Sequence, residues 1–429
     1  MSISRRAFLK GTAVGAAGAS LVVPGGMVLA KKAAMLPAPK GNRVVVVGGG
    51  WGGVSVARNL KKFNSKAEVV LIEKNQTFMS CPLSNLYLGG MMPYEAFQFE
   101  YRNVGKQGIH VVHETVYEID RGARTVATSG GTLKYDYLVL APGIDYMWDT
   151  VKGLWDARYE VPIAFKPGAE HLMLRRQLED FEEGTLVVGI PKGPIRCPPG
   201  PYERVAMLAH HIKVNKLKAK LIVLDANPKP MSKGPGFLSA YEELYGDIVE
   251  YNTDHAVEAV DHRKKVIHHT LGEIKYDMAN IIPQMQAGAV CMMAGVDDGR
   301  WVPINPKTMQ TKADNRVFVV GDVVGGQPFP KSGFQAMSVG KVAARQLANI
   351  MEGKAPVAPS LSNKCYSTVE GMTKPDGLAI DVAHSFEWNE GEQKWARQAK
   401  AGLQRSSQIA SSSREWARGV WFELFGEHS

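Results

Sequence analysis

The first strong hydrophobic run in the chain is Arg43–Val47 (RVVVV), too short for a helix and apolar at its last four positions. Such a run predicts a strand buried on both faces. It leads into GGGWGGVSVARNL, which opens a helix, and then into AEVVLIEK, a second strand ending at Glu73. The pattern returns at residues 135–146, YDYLVLAPGIDY, where a strand runs into Ala141-Pro142-Gly143 and the chain crosses to another domain. It returns again at residues 316–324, RVFVVGDVV, where Asp322 ends a strand and a helix follows from near Ser332. Between these lie a helix (EHLMLRRQLEDF), a strand (TLVVGI), a helix from about Tyr202 and a strand (AKLIVLDA). Strands alternating with helices predict an α/β fold with parallel sheets.

Three of these strand ends are suited to touch a dinucleotide. Gly48, Gly50 and Gly53 give G-x-G-x-x-G between a strand and a helix. The first glycine makes the turn, the second lets backbone approach a pyrophosphate, and the third permits close helix–strand packing. The helix N-terminus then faces the phosphates. Glu73, at the end of the next strand, is placed to accept hydrogen bonds from an adenosine ribose. Asp322 is placed to hold ribityl hydroxyls of a flavin. Lys331 and Ser332 join this set at the start of the helix that follows. Its positive end would face the flavin edge where charge accumulates on reduction.

The middle of the chain departs from this pattern. After TLVVGI, where a second glycine loop would serve a nicotinamide cofactor, residues 189–204 read GIPKGPIRCPPGPYER. Proline has no N–H to offer a pyrophosphate, so a nicotinamide site is expected to be filled in. Cys197 stands there instead, six residues before Glu203. A helix N-terminus is expected to lower the thiol's pKa, and Glu203 is a candidate proton carrier.

Composition adds boundaries. The chain has 429 residues, 45% hydrophobic and 22% charged, ordinary for a globular protein with a sizeable core. Residues 1–30 read as a twin-arginine signal: Ser4-Arg5-Arg6 and Phe8-Leu9-Lys10, a Gly/Ala-rich run broken by Pro24, and Val28-Leu29-Ala30 as a cleavage site. That predicts periplasmic export of a protein folded with its cofactor, with no integral membrane span. The formal charge of +9 becomes +6 without Arg5, Arg6 and Lys10. No Lys/Arg cluster interleaves with aromatics, which argues against nucleic acid. Four cysteines (Cys81, Cys197, Cys291 and Cys365) allow three complete pairings, and no spacing suggests a zinc site. Cys291 lies in the apolar run AGAVCMMAGV and reads as an inert core thiol.

Glycine motif, Ala-Pro-Gly and Gly-Asp occur in an order that resembles the disulfide-reductase-like flavoproteins, which have two dinucleotide-binding domains. The resemblance implies FAD. It sharpens to the flavoprotein subunit of flavocytochrome c sulfide dehydrogenase at VVVVGGGWGG, CPLSN, RCPPGPYER, EELYGD, PKSGF, GKVAA and NKCYS, from about Arg43 to the C-terminus. The resemblance implies an 8α thioether between Cys81 and FAD, although Pro82 follows Cys81 where members of that family often carry tyrosine. It implies a redox-active disulfide of Cys197 with Cys365, opened by sulfide to give sulfur or polysulfide, with Glu203 as acid/base. It also implies electron transfer to a c-type haem subunit. No C-x-x-C-H occurs here, so that haem would sit on another chain. By its distance from the terminal Phe-Gly, Trp416 corresponds to an aromatic near the flavin, with Trp416 and Trp421 as core tryptophans of a terminal helix the equal alternative.

The expected architecture is two Rossmann-like domains plus a C-terminal α+β domain. The FAD-binding domain would span 40–150 and 285–355, the NAD-binding-like domain 151–284, and the C-terminal domain 356–429. Two other functions fit the same residues: a sulfide:quinone oxidoreductase-like enzyme, and a redox accessory protein of a periplasmic thiosulfate-oxidising system.

Overall fold

The computed structural model describes residues 34–372 and 376–426. The leader assigned to residues 1–30 lies outside them. Arg43–Val47 forms the centre of a five-stranded parallel sheet, flanked by Glu68–Ile72 and Ile109–Val112 on one side and Tyr137–Leu140 and Val317–Val319 on the other. Val44, Val45 and Val46 are fully buried, as a strand covered on both faces requires. A second parallel sheet orders Val249–Thr253, Lys218–Asp225, Glu183–Ile190 and Met278–Ile281. Each sheet is accompanied by a three-stranded antiparallel meander, Val116–Lys134 for the first and Val257–Lys275 for the second. A two-stranded ribbon, Ile144–Tyr146 with Met285–Ala287, ties the two units together.

Helix Trp51–Phe63 and helix Gly333–Met351 pack closely on the first sheet. Their approach needs small residues: a Cβ at Gly340 would lie 2.7 Å from the Gly52 carbonyl oxygen. Ser55 Oγ donates across the same contact to the Met337 carbonyl at 2.7 Å. The helix N-termini thereby reach the C-terminal ends of the strands, the place where α/β sheets bind ligands.

The C-terminal part is a long antiparallel sheet, Ser360–Glu370, Leu378–Asn389 and Lys394–Ser406, followed by helix Ser407–Phe425. That helix returns to the first unit. Phe425 stacks on Phe78 and Phe99, and buried Trp421 packs on Phe99 while its Nε1 donates to Ser80 Oγ at 3.1 Å. Burying one such aromatic contributes about 1.5–3 kcal/mol. The contacts pin the residue immediately before Cys81.

Candidate functional site

The glycine motif is built as its spacing requires. Gly48 has φ +104°, and a Cβ there would lie 2.3 Å from the Ala141 carbonyl oxygen. A Cβ at Gly53 would lie 1.9 Å from the Gly48 carbonyl oxygen. Gly50 differs: its Cβ would meet nothing nearer than Phe78 Cε2 at 3.9 Å. It is the N-cap of helix Trp51–Phe63, with no side-chain cap and no acid in the first turn. The structure therefore leaves an open cradle at a helix N-terminus, suited to an anion. Beside it, Glu73 Oε2 accepts from the Gly49 amide at 2.8 Å, and Oε1 accepts from the Asn75 amide and Nδ2.

Asp322 lies in a single turn, Gly321–Val323, just beyond the strand rather than at its last residue. It is 8% exposed, and its Oδ2 sits 3.3 Å from Arg196 Nε. Its Oδ1 is buried without a partner, as are the Nε2 and Oε1 atoms of the Gln335 side chain. Asp322 and Gln335 line the same small pocket. Buried polar atoms left unpaired cost about 1–3 kcal/mol each, so this wall could accept a polar ligand. Lys331 also lines it, but its Nζ donates to the carbonyls of Asp322 and Val324, both at 2.7 Å, over the Trp301 ring. Burial pushes its pKa down to about 8. Ser332 is the N-cap of helix Gly333–Met351: its Oγ accepts from the Gln335 amide and donates to Asn363. These two side chains shape the wall rather than extend into it.

Lys331 and Ser332 also border a larger cavity. Cys81, Cys197 and Cys365 all line it, with Glu203 and Trp416. Residues more than a hundred positions apart in sequence are thus gathered in one space. Trp416 sits among Trp51, Phe334 and Tyr366 at this wall, whereas Trp421 is a core residue, which separates the two tryptophans.

Cys197 has φ +52°, and its amide donates to the Lys331 carbonyl at 2.6 Å, joining the two units at the cavity. A Cβ at Gly200 would crowd Cys197 Sγ at 3.0 Å. The thiol thus lies over the start of helix Gly200–Val214. Its pKa is nevertheless raised, by burial first and then by Cys365 and Glu203. This runs against the expectation of a lowered value, with desolvation the largest cause. Cys81 and Cys365 are likewise raised by burial. All four cysteines carry free thiols in this structure. Cys291 is fully buried in helix Ala289–Met293, away from the cavity.

Glu203 is 5% exposed and its pKa is raised by burial. Its Oε1 accepts from the Thr368 amide at 2.8 Å and its Oε2 from Asn85 Nδ2 at 2.9 Å. Asn85 is the last residue of CPLSN, so the Cys81 loop and the Cys197 helix are tied through this carboxyl. Arg204 Nε donates to Asn85 Oδ1, completing the link. On the other side of the loop, Ser84 bonds to His171, whose pKa burial pushes down to about 3.

Two cations escape sequence reasoning. Arg196 was visible only as a neighbour of Cys197, yet it reaches Asp322. Lys233 Nζ lies 2.7 Å from Ser367 Oγ, 3.4 Å from the Cys365 carbonyl oxygen and 3.8 Å from Cys365 Sγ. The acid at the corresponding strand end of the second unit is not open. Asp225, at the end of Lys218–Asp225, is fully buried; its carboxylate accepts from Asn227 at 2.9 and 2.7 Å and from Tyr251 Oη at 2.6 Å.

Residues 171–283 match the family model described as Sulfide dehydrogenase (flavocytochrome c) flavoprotein chain, central, and residues 42–178 match Pyridine nucleotide-disulphide oxidoreductase. The fold is that of the pyridine nucleotide-disulphide oxidoreductases. The chain is similar to mouse mitochondrial sulfide:quinone oxidoreductase, 24% identical over 330 residues, 73% of this chain and 72% of that protein. It is also similar to the type II NADH:quinone oxidoreductase of Staphylococcus haemolyticus, 23% identical over 367 residues, 79% of this chain and 89% of that protein. Among solved structures, the sulfide:quinone oxidoreductase of Aquifex aeolicus aligns with TM-score 0.73 and 20% identity, covering 90% of this chain and 92% of that one.

Proposed function

We propose that this protein is a periplasmic FAD-dependent enzyme that oxidises sulfide to sulfur or polysulfide through a Cys197–Cys365 disulfide. The observation that carries this reading is the shared cavity of Cys197, Cys365 and Glu203 with Cys81 and Trp416. The family match over 171–283 and the sulfide:quinone oxidoreductase relatives support sulfide as substrate.

The residues present fit FAD. Gly50 and the helix behind it would hold the pyrophosphate, Glu73 the adenosine ribose, and the unpaired Asp322 Oδ1 the ribityl chain. The N-terminal end of helix Gly333–Met351 would face the electron-rich edge of the ring, and Cys81 would hold it covalently. When bound, FAD supplies a two-electron acceptor. The prolines of 191–201 and the internally bonded Asp225 support a second unit that no longer takes a nicotinamide cofactor.

The chain's own chemistry follows from thiol exchange. Hydrosulfide bonds to one sulfur of the disulfide, the S–S bond breaks, and the other cysteine leaves as thiolate with the bonding pair. The sulfide sulfur is oxidised to the sulfane level and the leaving cysteine is reduced. Glu203, whose pKa burial raises, is the group placed to hold a proton beside the pair.

We further propose a c-type cytochrome on a separate chain as acceptor, in keeping with the family match over 171–283. A second reading, quinone as acceptor, is favoured by the named relatives. Among the described residues no helix is long and apolar enough to cross a membrane. An anaerobic assay offering sulfide with either a soluble c-type cytochrome or a water-soluble ubiquinone analogue decides between them. Rapid cytochrome reduction supports the first; reduction of the quinone alone overturns it.

A further inference from the structure

Three observations around Cys365 point the same way. Lys233 sits at φ +57° as the N-cap residue of helix Gly234–Tyr245 and is 7% exposed. That left-handed residue directs a buried ammonium toward strand Ser360–Glu370, against Ser367 Oγ, the Cys365 carbonyl and Cys365 Sγ. Its hydrogen-bond partners are neutral, so no bonded carboxylate cancels its charge at the sulfur. The other charges facing the pair are differently engaged. Glu203 is favoured in its neutral form by burial. Asp381 is bonded to Lys364. Arg196, the cation next to Cys197, is turned to Asp322 Oδ2 at 3.3 Å and to the Phe165 carbonyl. Arg414 pairs with Asp376. The two cysteines are therefore unlike: Lys233 and Arg196 both act on Cys197 through space, but only Cys365 receives a direct hydrogen bond from a cation, Lys233 Nζ at 3.8 Å from its Sγ.

We propose that Lys233 fixes the direction in which the Cys197–Cys365 disulfide opens, stabilising Cys365 as the leaving thiolate so that the incoming sulfur bonds to Cys197. This rests on the disulfide reading above. The balance is simple: the Cys197–Cys365 bond breaks, a Cys197–S bond to the nucleophile forms, and Cys365 departs with the electron pair beside Lys233. The thiol better stabilised as thiolate leaves faster. The sulfane sulfur is then carried by Cys197, three residues before helix Gly200–Val214, and Cys365 is the thiolate free for the next step.

The test uses flavin-loaded, oxidised protein and a thiol unrelated to sulfide. 2-Mercaptoethanol is added anaerobically, free thiols are trapped with N-ethylmaleimide, and peptides are mapped by mass spectrometry. The expected product carries mercaptoethanol on Cys197 and maleimide on Cys365, by at least about tenfold over the reverse. Lys233→Met reduces that preference, and Lys233→Arg restores it. In the reduced protein, Lys233→Met raises the pH midpoint of Cys365 alkylation by at least about one unit, a tenfold loss of thiolate at neutral pH. A merely structural lysine would not move that midpoint. Adducts on Cys365, an even distribution in the wild type, or an unchanged midpoint in Lys233→Met overturns the inference, as does the lack of an intramolecular disulfide. If Lys233→Met fails to fold, the wild-type adduct map and the Lys233→Arg variant still decide. Mercaptoethanol on Cys197 with no persulfide from hydrosulfide supports the role of Lys233 and sinks the sulfide reading alone.

Discussion

Gly50→Ala separates the binding role of the glycine motif from its folding role. Gly50 has φ −76° and ψ −170°, values open to any residue, and the added methyl would have 3.9 Å to its nearest neighbour. No clash follows, and the stiffer unfolded chain adds roughly 0.4–1 kcal/mol of stability. At ~2–4 °C per kcal/mol, the melting temperature of the flavin-free protein should stay level or rise by a few degrees. The methyl, however, occupies the cradle at the helix end. Losing one charge-assisted hydrogen bond to a pyrophosphate costs about 1.5–3 kcal/mol, at least about tenfold in affinity. Gly53→Ala is the control, since its Cβ would lie 1.9 Å from a backbone oxygen. Overpacking of that kind costs about 1–3 kcal/mol or more. Thermal unfolding and the flavin-to-protein ratio, measured on both variants, read the two roles separately. The expected result is a folded, flavin-poor Gly50→Ala and a destabilised Gly53→Ala. A Gly50→Ala protein with full flavin content refutes the assignment of the cradle.

Other expectations follow from the cavity. Cys81→Ala should fold but release its flavin on acid precipitation; flavin retained in the pellet would remove Cys81 as the attachment point. Cys197→Ser and Cys365→Ser should each abolish flavin reduction by sulfide while dithionite still reduces it, and normal turnover in either would end the disulfide mechanism. Glu203 has a pKa raised by burial, so its folded form binds a proton more tightly than the unfolded chain. Its contribution to stability is therefore full below about pH 4.3, the unfolded value, and is lost as pH rises through the folded value. The melting temperature of wild type minus Glu203→Gln should fall from acid to neutral pH; a flat difference would show that folding leaves the Glu203 pKa unshifted.

The parallel-sheet units were legible because buried strands and glycine turns are local features. Gly48, Gly50, Gly53 and Glu73 needed only the strand before and the strand after. The convergence of Cys81, Cys197, Cys365 and Glu203 was legible only through a resemblance, since three separate elements carry them. The direction of the Cys197 pKa was misread because the helix end is local and burial is not. Lys233 had no sequence signal: in PMSKGPGF it reads as a solvated loop lysine, and only the left-handed turn and the strand carrying Cys365 make it a buried cation. The three long C-terminal strands gave only a general α+β expectation, because the outer one, Lys394–Ser406, is largely exposed and polar.

The central claim is that sulfide enters through the cysteine pair and delivers two electrons to a flavin held beside it. An anaerobic titration of the flavin-loaded protein with sulfide, followed by flavin absorbance, tests it most directly. The account predicts prompt bleaching at near-stoichiometric sulfide. An unchanged spectrum, with dithionite still bleaching the flavin, would contradict it and favour a redox accessory role for the same fold.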